Sequence, residues 1–147
     1  IGEEFNVKPG SPNLTERIEG GLLSYGNDMD IGDNPFECGF DKYVNLESDI
    51  IFLGKEKLKK IKQEGIKRKL MGVKIEAKSI DLTEEMTMFN NEDNEIGKLR
   101  SAGFSPKLEK IVGIAMIKKG FWETSQKFKI NIDGNFVSGE ICNLPIV

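Results

Sequence analysis

The sequence predicts an α+β chain in which a short helical piece precedes a small antiparallel β domain, either a barrel or a sandwich. Three observations carry this reading. Apolar residues recur at four-residue spacing only near the start, as in Leu14, Ile18 and Leu22. From Leu70 onward they alternate in short runs, beginning with Met71, Val73, Ile75 and Ala77, which is the period of a half-buried strand. Near the end, Asp133-Gly134 separates two alternating runs, a strong hairpin signal. A boundary near residue 66 divides the chain into pieces 1–66 and 67–147.

Taken in order, "SPNLTERIEGG" reads as a helix with Ser11 as N-cap, Pro12 in the first helical position and Gly20-Gly21 as the stop. Leu14, Ile18 and Leu22 would line one apolar stripe, with Arg17 beside it. "GNDMDIGDNPF" has the composition of a turn-rich loop whose aspartates face solvent. A second helix is expected from Gly54 to Gln63, burying Phe52, Leu58 and Ile61 and ending at Gly65. The strand candidates that follow are "KLMGVKIEAKSI", "EIGKLRSA", "KIVGIAMIKK", "QKFKINI" and "NFVSGEIC".

The chain of 147 residues contains no histidine. That excludes a Ser-His-Asp or Cys-His nucleophile pair and every His-bearing zinc motif within it. Cys38 and Cys142 stand far apart and outside any Cys-x-x-Cys pattern, so two reduced thiols in a soluble, cytoplasmic protein are expected. The mild net charge of -3 hides a block structure. Residues 1–50 carry three basic and eleven acidic side chains, and residues 51–80 carry ten and three. The basic run lacks aromatic interleaving, so it reads as a solvated face rather than a nucleic-acid surface. The longest apolar run, "IVGIAMI", is too short to span a bilayer. Neither nucleic acid nor a membrane is therefore an expected partner.

No metal is expected either. An EF-hand register starting at Asp28 puts Gly32 at position 5 and Gly39 at position 12, where oxygen ligands belong. Neither GxGxxG nor a phosphate-cradling Gly-Lys-Ser/Thr run is present. Glu37 lies among apolar neighbours and must find a donor, for which Arg17 is the expected partner.

Six stretches in register, "RIEGGLLSYGND", "NPFECGF", "FLGKEKL", "RKLMGVKI", "SAGFSP" and "GEICNLPIV", resemble the C-terminal part of the aminomethyltransferase (glycine-cleavage T-protein) superfamily. "PNLTERIEGGLLSYGND" and "NPFECGFDKYVNLESD" are most like its dimethylsulfoniopropionate demethylase branch. The resemblance implies a three-lobed fold in which tetrahydrofolate fills a central channel and accepts a one-carbon unit from an amine or sulfonium donor. It makes residues 1–66 the tail of the folate-binding core and 67–147 a terminal β-barrel. The family's key carboxylate falls upstream of the matched region, so no catalytic residue is assigned here, and the chain reads as part of a longer protein.

By the same resemblance, Arg17 and Tyr25 would contribute to the folate-channel wall, with Glu37 supporting Arg17. Asn13 stands where the family's usual arginine precedes the helix, and Lys42 where it tends to have tryptophan. Both departures fall at positions expected near tetrahydrofolate, which turns the reading from amine donors toward the sulfonium donor. Leu22, Phe36 and Phe40 are expected to form exposed apolar patches that promote self-association.

Overall fold

The computed structural model describes residues 13–147. Six antiparallel strands form a closed barrel: β1 (Arg68–Ile75), β2 (Met86–Phe89), β3 (Glu95–Ser105), β4 (Lys110–Lys118), β5 (Lys127–Ile132) and β6 (Asn135–Cys142). They run around the barrel in the order β1-β4-β3-β2-β5-β6, and β1 pairs with both β4 and β6 to close it. Closure decides between the two architectures left open by the sequence, and it gives every strand a neighbour on both sides. β2 is the strand that the sequence pattern misses. It is four residues long, only Met88 in it is buried, and polar turns flank it.

The β5–β6 hairpin forms where Asp133-Gly134 places it. Both residues have positive φ, 51° and 85°, and Ile132 faces Asn135 across the turn. Such a two-residue turn matches the twist of the strands it joins.

β4 explains the unbroken apolar run in its sequence: every residue from Ile111 to Ile117 is buried. Ile111, Ala115 and Ile117 point inward, where they join Val73, Ile96 and Phe128 in the barrel core. Val112, Ile114 and Met116 point outward into a second core shared with Ile18, Cys38 and Ile146. A strand covered on both faces loses the polar alternation of a solvated one.

The covering layer comes from the first helix and the chain's last residues. α1 (Leu14–Glu19) is capped by Asn13, whose Oδ1 accepts from the Glu16 amide at 2.8 Å while Glu16 Oε2 accepts from the Asn13 amide at 3.2 Å. This reciprocal pair is a capping box, so the helix starts two residues later than the Ser11-Pro12 reading. Ser11 and Pro12 themselves lie outside the described residues. Only Ile18 of the expected stripe is buried; Leu14 and Leu22 are more than half exposed. The helix is one and a half turns long, and Leu22 sits beyond its end, where helical spacing no longer applies.

α2 (Lys55–Glu64) begins and ends within one residue of expectation, closed by the Gly65 amide donating to Ile61 O at 2.8 Å. Its expected buried side is not covered. Leu58 and Ile61 are only partly buried, and α2 packs against no other helix or strand among the described residues. None of the described helices is long and apolar enough to cross a membrane.

Candidate functional site

The loop after α1 is organised by carboxylates that the sequence reading leaves in solvent. Asp28 is fully buried. Its Oδ2 accepts from Arg17 Nη1 at 2.5 Å and from the Ser24 amide at 2.6 Å, and its Oδ1 accepts from Ser101 Oγ on β3 at 2.5 Å. The side chain of Asp33 is almost as enclosed, held by Arg100 Nη1 at 2.6 Å and Arg68 Nη2 at 2.9 Å. Burying a carboxylate is costly unless a cation and hydrogen bonds meet it, and here both do.

Burial raises the Asp33 pKa, but the hydrogen bonds from Arg100 and the Asp30 amide, with the charges of Arg100 and Arg68, outweigh it and hold it below its ordinary value. Burial also pushes the Cys38 thiol up to about 11, with the charges of Asp33 and Glu37 acting in the same direction. Cys38 and Cys142 are both free thiols.

Glu37 does not support Arg17. Its Oε1 accepts from Arg68 Nε at 3.2 Å, and its Oε2 from the Asn34 amide at 3.2 Å. The reason lies in the backbone: Glu37 O accepts from the Leu70 amide at 2.8 Å, which seats the residue beside β1, two positions from Arg68. Arg17 pairs with Asp28 instead. No feature of composition singles out Asp28, but its place four residues after Ser24, closing a tight turn, is the local trace of its role.

The same segment builds one wall of a cleft of about 800 Å³ between the end of α1, residues 38–43 and β1. Leu23, Phe40, Leu70 and Met71 give it an apolar floor, and Asp41, Lys42, Tyr43, Lys69 and Asn143 supply polar groups. Gly21 turns the chain into this wall with φ of 65°, and a Cβ there would lie 3.3 Å from both Leu144 Cβ and Pro145 Cα. The tail is fastened across the end of α1 by the Ile146 amide donating to Glu19 O at 2.8 Å.

None of the four residues expected to contact a cofactor lines the cleft. Asn13 caps α1, Glu37 holds Arg68, and Tyr25 is 70% exposed. Arg17 reaches the cleft only through the carbonyl of Leu22, to which Nη1 donates at 2.7 Å. Lys42, singled out as a departure, does line it, with its Nζ 4.9 Å from the centre of the Tyr43 ring. Phe36 is buried and Phe40 half-buried, so of the three residues expected in exposed patches only Leu22 is exposed; farther along, Ile50, Ile51 and Leu53 are exposed too. Those last residues adjoin α2, where a second hollow of about 870 Å³ is lined by apolar loop residues and by charged side chains of both signs, among them Lys55, Lys57, Glu47 and Asp49.

A family profile described as the glycine cleavage T-protein C-terminal barrel domain matches residues 68–147, the whole barrel and the tail. The chain belongs to this family. An aminomethyltransferase of Thermosipho melanesiensis is 40% identical over 129 residues, covering 88% of this chain and 34% of that protein. A dimethylsulfoniopropionate demethylase of Ruegeria pomeroyi is 34% identical over 121 residues, covering 82% of this chain and 32% of its own length. The crystal structure of glycine cleavage system aminomethyltransferase T from Bartonella henselae superimposes with a TM-score of 0.82 at 23% identity, over 91% of this chain and 37% of that one. The chain thus spans about a third of the length of these relatives, and most of the similar proteins carry the name aminomethyltransferase.

Proposed function

We propose that this chain forms the non-catalytic C-terminal part of a tetrahydrofolate-dependent aminomethyltransferase, with the cleft beside α1 as one wall of the folate site. The observation that carries the reading is the cleft itself, built by the family-like segments "RIEGGLLSYGND" and "NPFECGF" against β1. Its volume and its apolar floor suit the flat ring system of a folate, and Lys42 and Lys69 suit the carboxylates at the other end. Tetrahydrofolate would supply the nitrogen atoms that accept the one-carbon unit. The residues of this chain would bind, orient and keep water from the ligand, which is the protein's main task when the donor carbon is already activated.

A second reading is the demethylation of dimethylsulfoniopropionate. It draws support from the Ruegeria pomeroyi relative, and from Lys42, which lines the cleft and, by the resemblance, stands where aminomethyltransferases tend to have tryptophan. The donor assay separates the two. The gene product that contains this chain is incubated with tetrahydrofolate and either an aminomethyl-lipoyl donor or dimethylsulfoniopropionate, and the folate products are weighed by mass spectrometry. Methylene-tetrahydrofolate from the first donor supports the main reading, and methyl-tetrahydrofolate from the second replaces it. Neither product, from folded protein, removes both.

A further inference from the structure

The wall of the cleft has little side-chain anchorage of its own; the Gly20 and Gly21 amides donate to Glu16 O and Ile18 O, each at 3.0 Å. Gly20 and Gly21 carry no side chain, and that of Leu22 is more than half exposed. Glycine backbone is the softest available. Yet the peptide groups of Leu22 are clasped at both ends by one residue: its amide donates to Arg17 O at 2.9 Å, and its carbonyl accepts from Arg17 Nη1 at 2.7 Å.

The same guanidinium is anchored in turn. Nη1 also meets Asp28, and Nη2 donates to Ser101 Oγ at 3.2 Å. The Ser101 hydroxyl donates in turn to Asp28 Oδ1, so the three side chains form a closed ring of hydrogen bonds. Ser101 can take part because β3 is irregular at this point. Leu99 faces Ala115 and Ser101 faces Ile114, which leaves Arg100 as the extra residue of a bulge. In a regular strand Arg100 and Ser101 would point to opposite faces. With the bulge both reach the same loop, Ser101 through Asp28 Oδ1 and Arg100 through Asp28 O at 2.8 Å and Asp33.

We propose that Arg17, Asp28 and Ser101 are a strut through which the barrel sets the position of the cleft wall, making Arg17 a positioning residue for the ligand. The inference rests on the cleft being the folate site proposed above. Three of the guanidinium's donors are spent inside the protein, so Arg17 acts on the ligand through Leu22 and not by direct contact. A lysine would keep the charge opposite Asp28, but a single nitrogen cannot serve Leu22 O, Asp28 and Ser101 in that planar arrangement.

The test compares Arg17→Lys and Ser101→Ala with the wild type, first by amide hydrogen exchange on this chain. The Leu22 and Ser24 amides should exchange roughly ten- to a hundred-fold faster in both variants, while the β4 amides from Val112 to Met116 stay as they were. Unchanged exchange at Leu22 and Ser24 overturns the strut, and so does an equal acceleration in β4, which marks a general loss of stability. The second arm is kinetic, on the gene product that contains this chain. Arg17→Lys should raise KM for tetrahydrofolate several-fold with kcat within about twofold of wild type. A loosened wall with an unaltered KM overturns the positioning role. If the wild type has no affinity for tetrahydrofolate, the proposed ligand fails, and the exchange arm alone decides the strut.

Discussion

The barrel and the segment that precedes it are held by different physics. In the barrel, strands are joined edge to edge and the interior is a continuous apolar core including Val73, Ile75, Ile96, Leu99, Ile117 and Phe128. In residues 13–67, α1 buries one large apolar side chain and α2 buries none. What places that segment on the barrel is Ile18 and Cys38 in the outer core, together with the barrel's Arg68 and Arg100 closing on Asp33 and Glu37 and its Ser101 donating to Asp28, which Arg17 pairs from within the segment. Burial is non-directional and robust, whereas charged hydrogen bonds are directional and fail when one partner goes. The lesson is that the barrel's stability and the cleft's shape are separately adjustable.

The largest blow to the barrel side should be Phe128→Ala. Phe128 is almost fully enclosed, and its ring lies against the space where a side chain on Gly139 would be. Deleting the ring should cost about 3–5 kcal/mol in denaturant unfolding. A loss under about 1 kcal/mol would mean that the core collapses into the gap and that burial of this ring is not what holds the barrel.

Next comes Asp28→Ala, the sharpest test of the segment side. It leaves Arg17 without its carboxylate and Ser101 without its acceptor, at an expected cost of about 3 kcal/mol. Proteolysis should then cut within residues 20–34 well before the barrel. Simultaneous loss of both regions would show that they unfold as one unit.

Acid should act in the same order. Because the folded Asp33 pKa lies below its unfolded value of about 4, its carboxylate contributes stability at neutral pH. That contribution is lost as pH falls from about 4 through the folded pKa. Stability should therefore fall in that window, and less so in Asp33→Asn. An identical pH profile in the variant would remove Asp33 from the account.

A gentler probe is the thiol of Cys38. With its pKa pushed up to about 11 and its side chain in the outer core, it should alkylate far more slowly at pH 8 than a free cysteine. Reaction at the free-thiol rate would show the segment opening away from β1. The smallest effect is expected at the exposed Lys60–Glu64 pair of α2, where Lys60→Ala should change stability by less than about 0.5 kcal/mol.

Much of this molecule was legible in its residues, and where legibility stopped is physically consistent. The Asp133-Gly134 turn and the Gly65 end of α2 are local signals, read within a few residues. β1, by contrast, stops at Ile75 and is buried without a break from Leu70 to Val73, so the half-buried alternation through Ala77 holds only in part. The capping box of Asn13 and Glu16 is equally local, and the stronger appeal of Ser11-Pro12 hid it. β2 was hidden because a four-residue strand with one buried side chain has too little pattern to detect. Arg17 could be singled out beside the apolar stripe, but its partner could not. A buried Asp28 and a solvated one look the same in a polar loop.

What the sequence determined by itself, then, was the kind of structure and the family resemblance, because strand period, turn chemistry and glycine stops are written in neighbouring residues. Only the tertiary structure decided that the β domain closes into a barrel and that both faces of β4 are covered. It also decided that Arg17 holds Asp28 rather than Glu37, and that the cleft is walled by Leu22 and Lys42. Those outcomes depend on residues such as Ser101 and Asp28, 73 positions apart, meeting through a bulge that local pattern does not encode.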